Sequence, residues 1–358
     1  DFTWEDEAGS PHLFTSADRR TKAIWNIFSD AGKSVNVVGW WNTFPAESVR
    51  GVVVSQANTL EQIANRGLMK PGGLLENVPD QVTPAEIREK IWPVIEEVDR
   101  ELPALLRTVF GEQVQPRSRT DVANMDACAW SVRADESTRR IALDLLADGP
   151  VPDGFAIYFG TPDVVSHRFW RYPEPDAFDH PPSRDAIRRF GRVIEDAYAH
   201  ADGVIGALLA AMPADVNVIV VSDHGMHAHH TTVDFDVAVD GRLERESAAH
   251  DDGPPGLIVA AGPGIRQQRP DRPIRELTRE ELVRVGGVAD ITPTVLALAG
   301  IPVGRDMDGS VLEHVLDRGV LAEGGVRFVD THDTEEWLAS RAAAPGEIPG
   351  EVERIEQL

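Results

Sequence analysis

Four short apolar runs, each bounded by polar or turn-forming residues, constrain this chain more than any other feature. They are VNVVG at 35–39, FAIYF at 155–159, VNVIVV at 216–221 and LIVAA at 257–261. A strand that is apolar at every position is buried on both faces, as in a parallel sheet covered by helices on each side. Helical periodicity fills the intervals. Ala23, Ile24, Ile27 and Phe28 share one face of residues 21–31, and Ile187, Phe190, Ile194, Ala197, Val204 and Leu208 keep helical spacing. Thr292, Pro293 and Gly300 predict a helix over 293–299 as cap, first residue and terminator. The pattern of residues 60–148 is mostly helical, with a predicted start at Thr83-Pro84-Ala85-Glu86, and we expect a helical insertion there. Residues 1–358 are expected to form one α/β domain with a mostly parallel sheet, 342–349 (AAAPGEIP) a linker, and 340–358 a tail. In such a domain, sites form in the loops that follow the strands.

Composition narrows the chemistry. The formal charge of −24 disfavours binding to a nucleic-acid polymer, but it leaves small anionic substrates open, because a bound cation inverts the local potential. No apolar run approaches the roughly 20 residues of a membrane-spanning helix. The single cysteine, Cys128, excludes an internal disulfide framework and a cysteine-rich zinc site, so any metal must be held by His, Asp and Glu. The chain begins at Asp1 with no signal-peptide pattern, which leaves cytoplasmic and exported locations both open.

Three segments place metal-type ligands after predicted strands. Asp163 and His167, in TPDVVSH, are four apart and fall on one face of a helix starting at Asp163. The bland alternative is an aspartate cap and an unrelated histidine. Asp223 and His224, in SDHGM, follow the VNVIVV run, and a sharp turn at Gly225 would let both reach one ion. Otherwise this is an ordinary polar loop. His250, in HDDGPPG, precedes LIVAA, and a single loop histidine is more often solvated than ligating. Together, Asp163, His167 and His250 form a two-His, one-carboxylate set suited to zinc, and Asp223 and His224 supply half of a second site. His227, His229 and His230 read as a solvated or supporting loop.

These motifs resemble the alkaline phosphatase superfamily, in its type I phosphodiesterase/nucleotide pyrophosphatase branch. The resemblance rests on TPDVVSHRFW (161–170), VIVVSDHGMH (218–227), HDDGPPGLIVAAGPGI (250–265) and ADITPTVLALAGIP (289–302), with a similar segment at 19–45; it spans residues 19–312 and weakens through the helical insertion. It implies a three-layer sandwich and metal-dependent hydrolysis of a small phosphorylated substrate: a phosphodiester, nucleotide pyrophosphate or phosphomonoester. It also implies two zinc ions (manganese remains an alternative), one on Asp163, His167 and His250 and the other on Asp223 and His224. The family's Thr or Ser nucleophile, and an aspartate ending the first strand, belong to a segment upstream of residue 19. Residues 1–18 contain no equivalent, so the resemblance implies a nucleophile preceding Asp1 and a chain cut at both ends. Where the family carries a Trp-Pro-Gly-Ser/Thr-like turn, this chain reads Trp40-Trp41-Asn42-Thr43. Asn42 is a candidate donor to a substrate phosphate, and Trp41 and Phe44 are candidates for stacking or for packing. The alternative function is a catalytically incomplete member of the fold that binds metal or phosphate. A sulfatase is disfavoured because the surroundings of Cys128 do not fit the modified nucleophile of that branch.

Overall fold

The computed structural model describes residues 3–5, 11–56, 79–111, 114–237, 246–251, 253–267, 284–322 and 325–342. The segments Thr3–Glu5 (β1) and Pro11–Leu13 (β2) pair antiparallel near the start. Ile24–Asp30 is α1, and it leads into β3, Val35–Val38, which is buried along its whole length. β4, Gly51–Val54, lies parallel to β3. The short β5, Val82–Thr83, closes that edge antiparallel to β4. Two long helices follow, α2 (Ile87–Phe110) and α3 (Arg119–Asp148), and then β6 (Gly154–Ile157), which is parallel to β3 on its other side. The sheet order is therefore β5-β4-β3-β6, parallel except at its β5 edge.

Helices cover both faces, so the fold is α/β with three layers. On one face, Trp25, Ile27 and Phe28 of α1 pack with Val35, Val37, Val53 and Leu296. On the other, Ile91 and Ile95 of α2 and Ile141 of α3 pack with Val38, Val54 and Val82. Each fully buried side chain of this kind contributes about 1.5–3 kcal/mol relative to exposure. The helices of the 60–148 region thus form one of the sheet's two covering layers; residues 57–78 lie outside the described part.

The sheet is followed by α4 (Thr161–Phe169), α5 (Arg184–Phe190), α6 (Val193–Ala211) and β7 (Val218–Val221). The predicted helical stretch through 187–212 is thus two helices, divided at Gly191-Arg192. After β7 come the two-residue strands β8 (His227–Ala228) and β9 (Ala248–Ala249), an antiparallel pair, and then β10 (Ile258–Ala261). β10 pairs with β7 antiparallel, Ile258 opposite Val221. Helix α7 spans Ile291–Leu298, two residues earlier than the spacing predicts; Asp290 precedes it, and Gly300 follows at φ +68°. β11 (Val303–Gly304) pairs parallel with β12 (Phe328–Val329), and the short α8 (Arg318–Ala322) and α9 (Glu335–Ala342) complete the described chain. The proposed linker after residue 342 lies outside it. Among the described residues, no helix is long and apolar enough to cross a membrane.

Two local expectations are corrected. Helix α2 begins at Ile87, not Thr83, because Thr83 is drawn into the sheet opposite Val53 and Pro84 belongs to the turn that follows. LIVAA is a strand but runs antiparallel to its neighbour, because the connection from β7 makes no helical crossover among its described residues.

Candidate metal centre

Each of the three ligand-bearing segments is set by its own piece of local structure. β6 ends at Ile157, and α4 starts at Thr161 with Pro162 in its first turn, a position where the missing N–H costs nothing. Val165 and Phe169 are fully buried among Phe110, Phe190 and Tyr172. That anchored face turns Asp163 and His167, one helical turn apart, the other way. Asp163 Oδ1 lies 3.6 Å from His167 Nε2. His167 Nδ1 lies 2.8 Å from the Ala248 carbonyl oxygen. A proton on Nδ1 donates there and leaves the Nε2 lone pair facing Asp163. The Ser247 N–H donates to the His167 carbonyl at 2.6 Å, so α4 and β9 are tied on both sides of the ring.

The second and third segments are held against each other. The antiparallel pairing of β7 with β10 continues into their loops: Ser222 N–H donates to Leu257 O at 3.0 Å, and Gly225 N–H to Pro254 O at 2.7 Å. A Cβ at Gly256 would sit 2.0 Å from the Ser222 carbonyl oxygen, so only glycine permits this approach. Gly225 was expected to supply a sharp turn. Its role is instead close packing, since its φ is not positive and a Cβ there would stand 3.0 Å from Pro254 O. β8 and β9 position His250, which directly follows Ala249, and His227 Nε2 lies 2.5 Å from the Asp251 carbonyl on the far side of His250. His227 Nδ1 faces the Ala228 carbonyl at 2.9 Å, so either neutral tautomer of its ring donates to a carbonyl of these loops.

The five candidate side chains lie in one cluster. His224 Nε2 lies 4.0 Å from Asp163 Oδ1 and 3.6 Å from Asp223 Oδ1. The His250 ring stacks on His224, with centroids 4.0 Å apart and planes 23° apart, and meets His167 edge-on at 5.4 Å. His224 Nδ1 is 3.1 Å from the Gly225 carbonyl, which again leaves Nε2 directed inward. Two donor atoms on one tetrahedral zinc stand about 3.3 Å apart, so the 3.6 Å Asp163–His167 and Asp223–His224 pairs are only slightly wider than a bound set. As they stand, no three such side chains among the described residues close around a single point. The buried Asp163 Oδ1 has no hydrogen-bond partner, an arrangement that is costly for a carboxylate oxygen unless a cation satisfies it. The oxygen and nitrogen donor set suits zinc or manganese. Asp223 is 72% exposed and His250 43%, whereas His167 is 15% exposed, so the cluster opens to solvent on one side.

Sequence reasoning missed two groups. Tyr158 lies between the Trp40-Trp41 turn and the cluster, its ring 6.2 Å from Trp40 and 6.1 Å from Trp41. Burial, reinforced by the carboxylates of Asp163, Asp135 and Asp223, pushes its hydroxyl well above the usual range and keeps it protonated. Asp135, on α3, accepts the backbone N–H groups of Gly160 and Thr161 at 2.9 and 2.8 Å. A polar residue in a helix gives no signal of such a contact, whereas the tyrosine of FAIYF was visible but read only as part of a strand. Asn42 is exposed in a left-handed turn at φ +55°, and among the described residues it contacts none of the five ligands. Phe44 is buried, a packing residue.

Residues 1–284 match the family model described as Type I phosphodiesterase / nucleotide pyrophosphatase, a span that includes all five clustered residues. No curated protein and no solved structure matches the chain.

Proposed function

Because the chain belongs to the type I phosphodiesterase/nucleotide pyrophosphatase family, part of the alkaline phosphatase superfamily, we propose that it hydrolyses small phosphate esters at the cluster around Asp163. The family supports phosphodiester or pyrophosphate hydrolysis as the reaction class. What carries the assignment to this place is the convergence of Asp163, His167, Asp223, His224 and His250 from one helix and two separate loops. Asp163, His167 and His250 would hold one zinc ion, and Asp223 with His224 part of a second, with manganese as the alternative occupant. The metal would supply Lewis-acid stabilisation of the phosphoryl oxygens and of the leaving oxygen.

The residues around the ligands prepare that chemistry. The carbonyls of Ala248 and Gly225 fix the tautomers of His167 and His224, so both present Nε2 without a proton to lose. The exposed side of Asp223 and His250 admits substrate. Protonated Tyr158 keeps a hydroxyl donor close to the carboxylates rather than adding a further negative charge. Asn42 is proposed as a substrate contact only on the strength of the family-like turn it occupies.

The family pattern favours a Thr or Ser as the attacking group, a role that none of the five clustered side chains fills.

The test is turnover of bis(p-nitrophenyl) phosphate by the full-length protein. Asp223→Ala or His250→Ala should reduce kcat/KM by about a hundredfold or more, corresponding to at least about 2.7 kcal/mol of lost transition-state stabilisation. Unchanged turnover in either variant would overturn the assignment. Zinc binding with no turnover of any phosphate ester would instead favour the non-catalytic, metal-binding alternative.

A further inference from the structure

We infer that Asp135 is a positioning residue for the metal centre: a carboxylate on α3 that clasps the first turn of α4 and so fixes where Asp163 stands. This inference rests on the reading of the site given above. The N-terminus of α4 lacks a capping side chain of its own, because its cap position is Gly160. The N–H groups at such an end need acceptors. Asp135 supplies them from another helix, one oxygen to each of two successive amides: Oδ1 to Gly160 at 2.9 Å and Oδ2 to Thr161 at 2.8 Å. The residue is 7% exposed and Thr161 is 2% exposed, so water cannot replace the contact. Two residues further on is Asp163, whose inward oxygen has no hydrogen bond to hold it. Its place opposite His167 and His224 therefore depends on where the backbone of that first turn lies.

The clasp is itself anchored. The neighbouring Glu136 is 2% exposed and binds Arg139 and Arg140, each at 2.6 Å. Arg140 also pairs with Glu101 of α2, and Arg133 with Asp99 of α2. The α3 segment bearing Asp135 is thus fastened to α2, which packs on the sheet. A shift of the α4 turn toward or away from the histidines would have to break the two amide bonds to Asp135.

Asp135→Asn separates this role from general stability. An amide can accept only one of the two N–H groups and turns its own donor toward the other. Zinc affinity, measured with the metal alone against a competing chromophoric chelator, should fall about 10–100-fold, with helical content retained. Ser118→Ala, which removes the cap at the distant start of α3, provides a comparison that weakens the same helix without touching α4. Its zinc affinity should equal that of the wild type. Should Asp135→Asn not fold, Asp135→Glu keeps the charge but displaces the oxygens by one methylene, and a several-fold loss is expected. Wild-type zinc affinity in a folded position-135 variant would overturn the inference, as would an equal loss in Ser118→Ala. The control Asp163→Ala distinguishes the two claims: if it too binds zinc normally, the metal-centre reading has failed rather than the role of Asp135.

Discussion

Asp163 faces two imidazole nitrogens and no hydrogen-bond donor. A buried carboxylate oxygen left this way costs roughly 1–3 kcal/mol or more, which a bound cation would offset. Alanine at Asp163 should therefore abolish high-affinity zinc binding, read by equilibrium dialysis, while leaving the metal-free protein as stable as wild type or slightly more so. A variant that loses both zinc and fold would point to a purely structural carboxylate. Asp135 differs, because burial pushes its carboxyl up to about 6 against the pull of its two N–H donors. Between about pH 4 and 6 the folded chain holds a proton there that the unfolded chain has released. Its contribution to stability is therefore fully present at low pH and is lost as pH rises through 6, by on the order of 3 kcal/mol. Denaturant titrations of the metal-free protein at pH 4.5 and 7.5 should show the wild type losing ground to Asp135→Asn as pH rises. A pH-independent difference would contradict this.

Among the elements, the connection between α3 and α5 gives a stability prediction. Asp121 is 4% exposed and accepts from Arg189 at 2.8 Å, as well as from the N–H of Arg117. Although burial opposes it, these partners hold its carboxyl below the ordinary aspartate range. Arg189→Ala would strand that charge, and a loss of about 3 kcal/mol is expected in urea unfolding; a loss under 1 kcal/mol would show that the pair is dispensable. Gly256→Ala should push the His250 loop away from His224 and weaken zinc binding tenfold or more, whereas unaltered affinity would mean that the two loops need not touch. The strands were legible because the runs at 35–39, 155–159, 216–221 and 257–261 are apolar, strand-length and bounded by polar or turn-forming residues. Their direction was not legible: apolar pattern is blind to whether β10 runs with or against β7. Nor was β4 read, although Gly51-Val52-Val53-Val54 carries the same signal in four residues. The start of α2 was misplaced because pairing of Thr83 with Val53 outweighs the local preference of a Thr-Pro-Ala-Glu sequence. That Asp163, His167, Asp223, His224 and His250 would lie near one another was readable from residue type and placement after strands, but the contact of Asp135 with Gly160 and Thr161 arises only when α3 packs against α4.

For the molecule as a whole, a net charge of −24 sets which partners can approach. Duplex DNA should show no measurable binding at physiological salt, and retention on immobilised DNA would contradict the assignment to small substrates. Metal should be what makes the acidic site receptive to phosphate, and zinc that binds only the folded chain should stabilise it by about 2.7 kcal/mol at a hundred times its Kd. The central claim is that helix α4 and two loops bring Asp163, His167, Asp223, His224 and His250 around bound divalent metal. Anomalous diffraction at the zinc edge from crystals grown with zinc tests it most directly. The account predicts a peak within about 2.0–2.2 Å of Asp163, His167 and His250, with a second beside Asp223 and His224. Zinc bound elsewhere, with those five side chains unliganded, would contradict it.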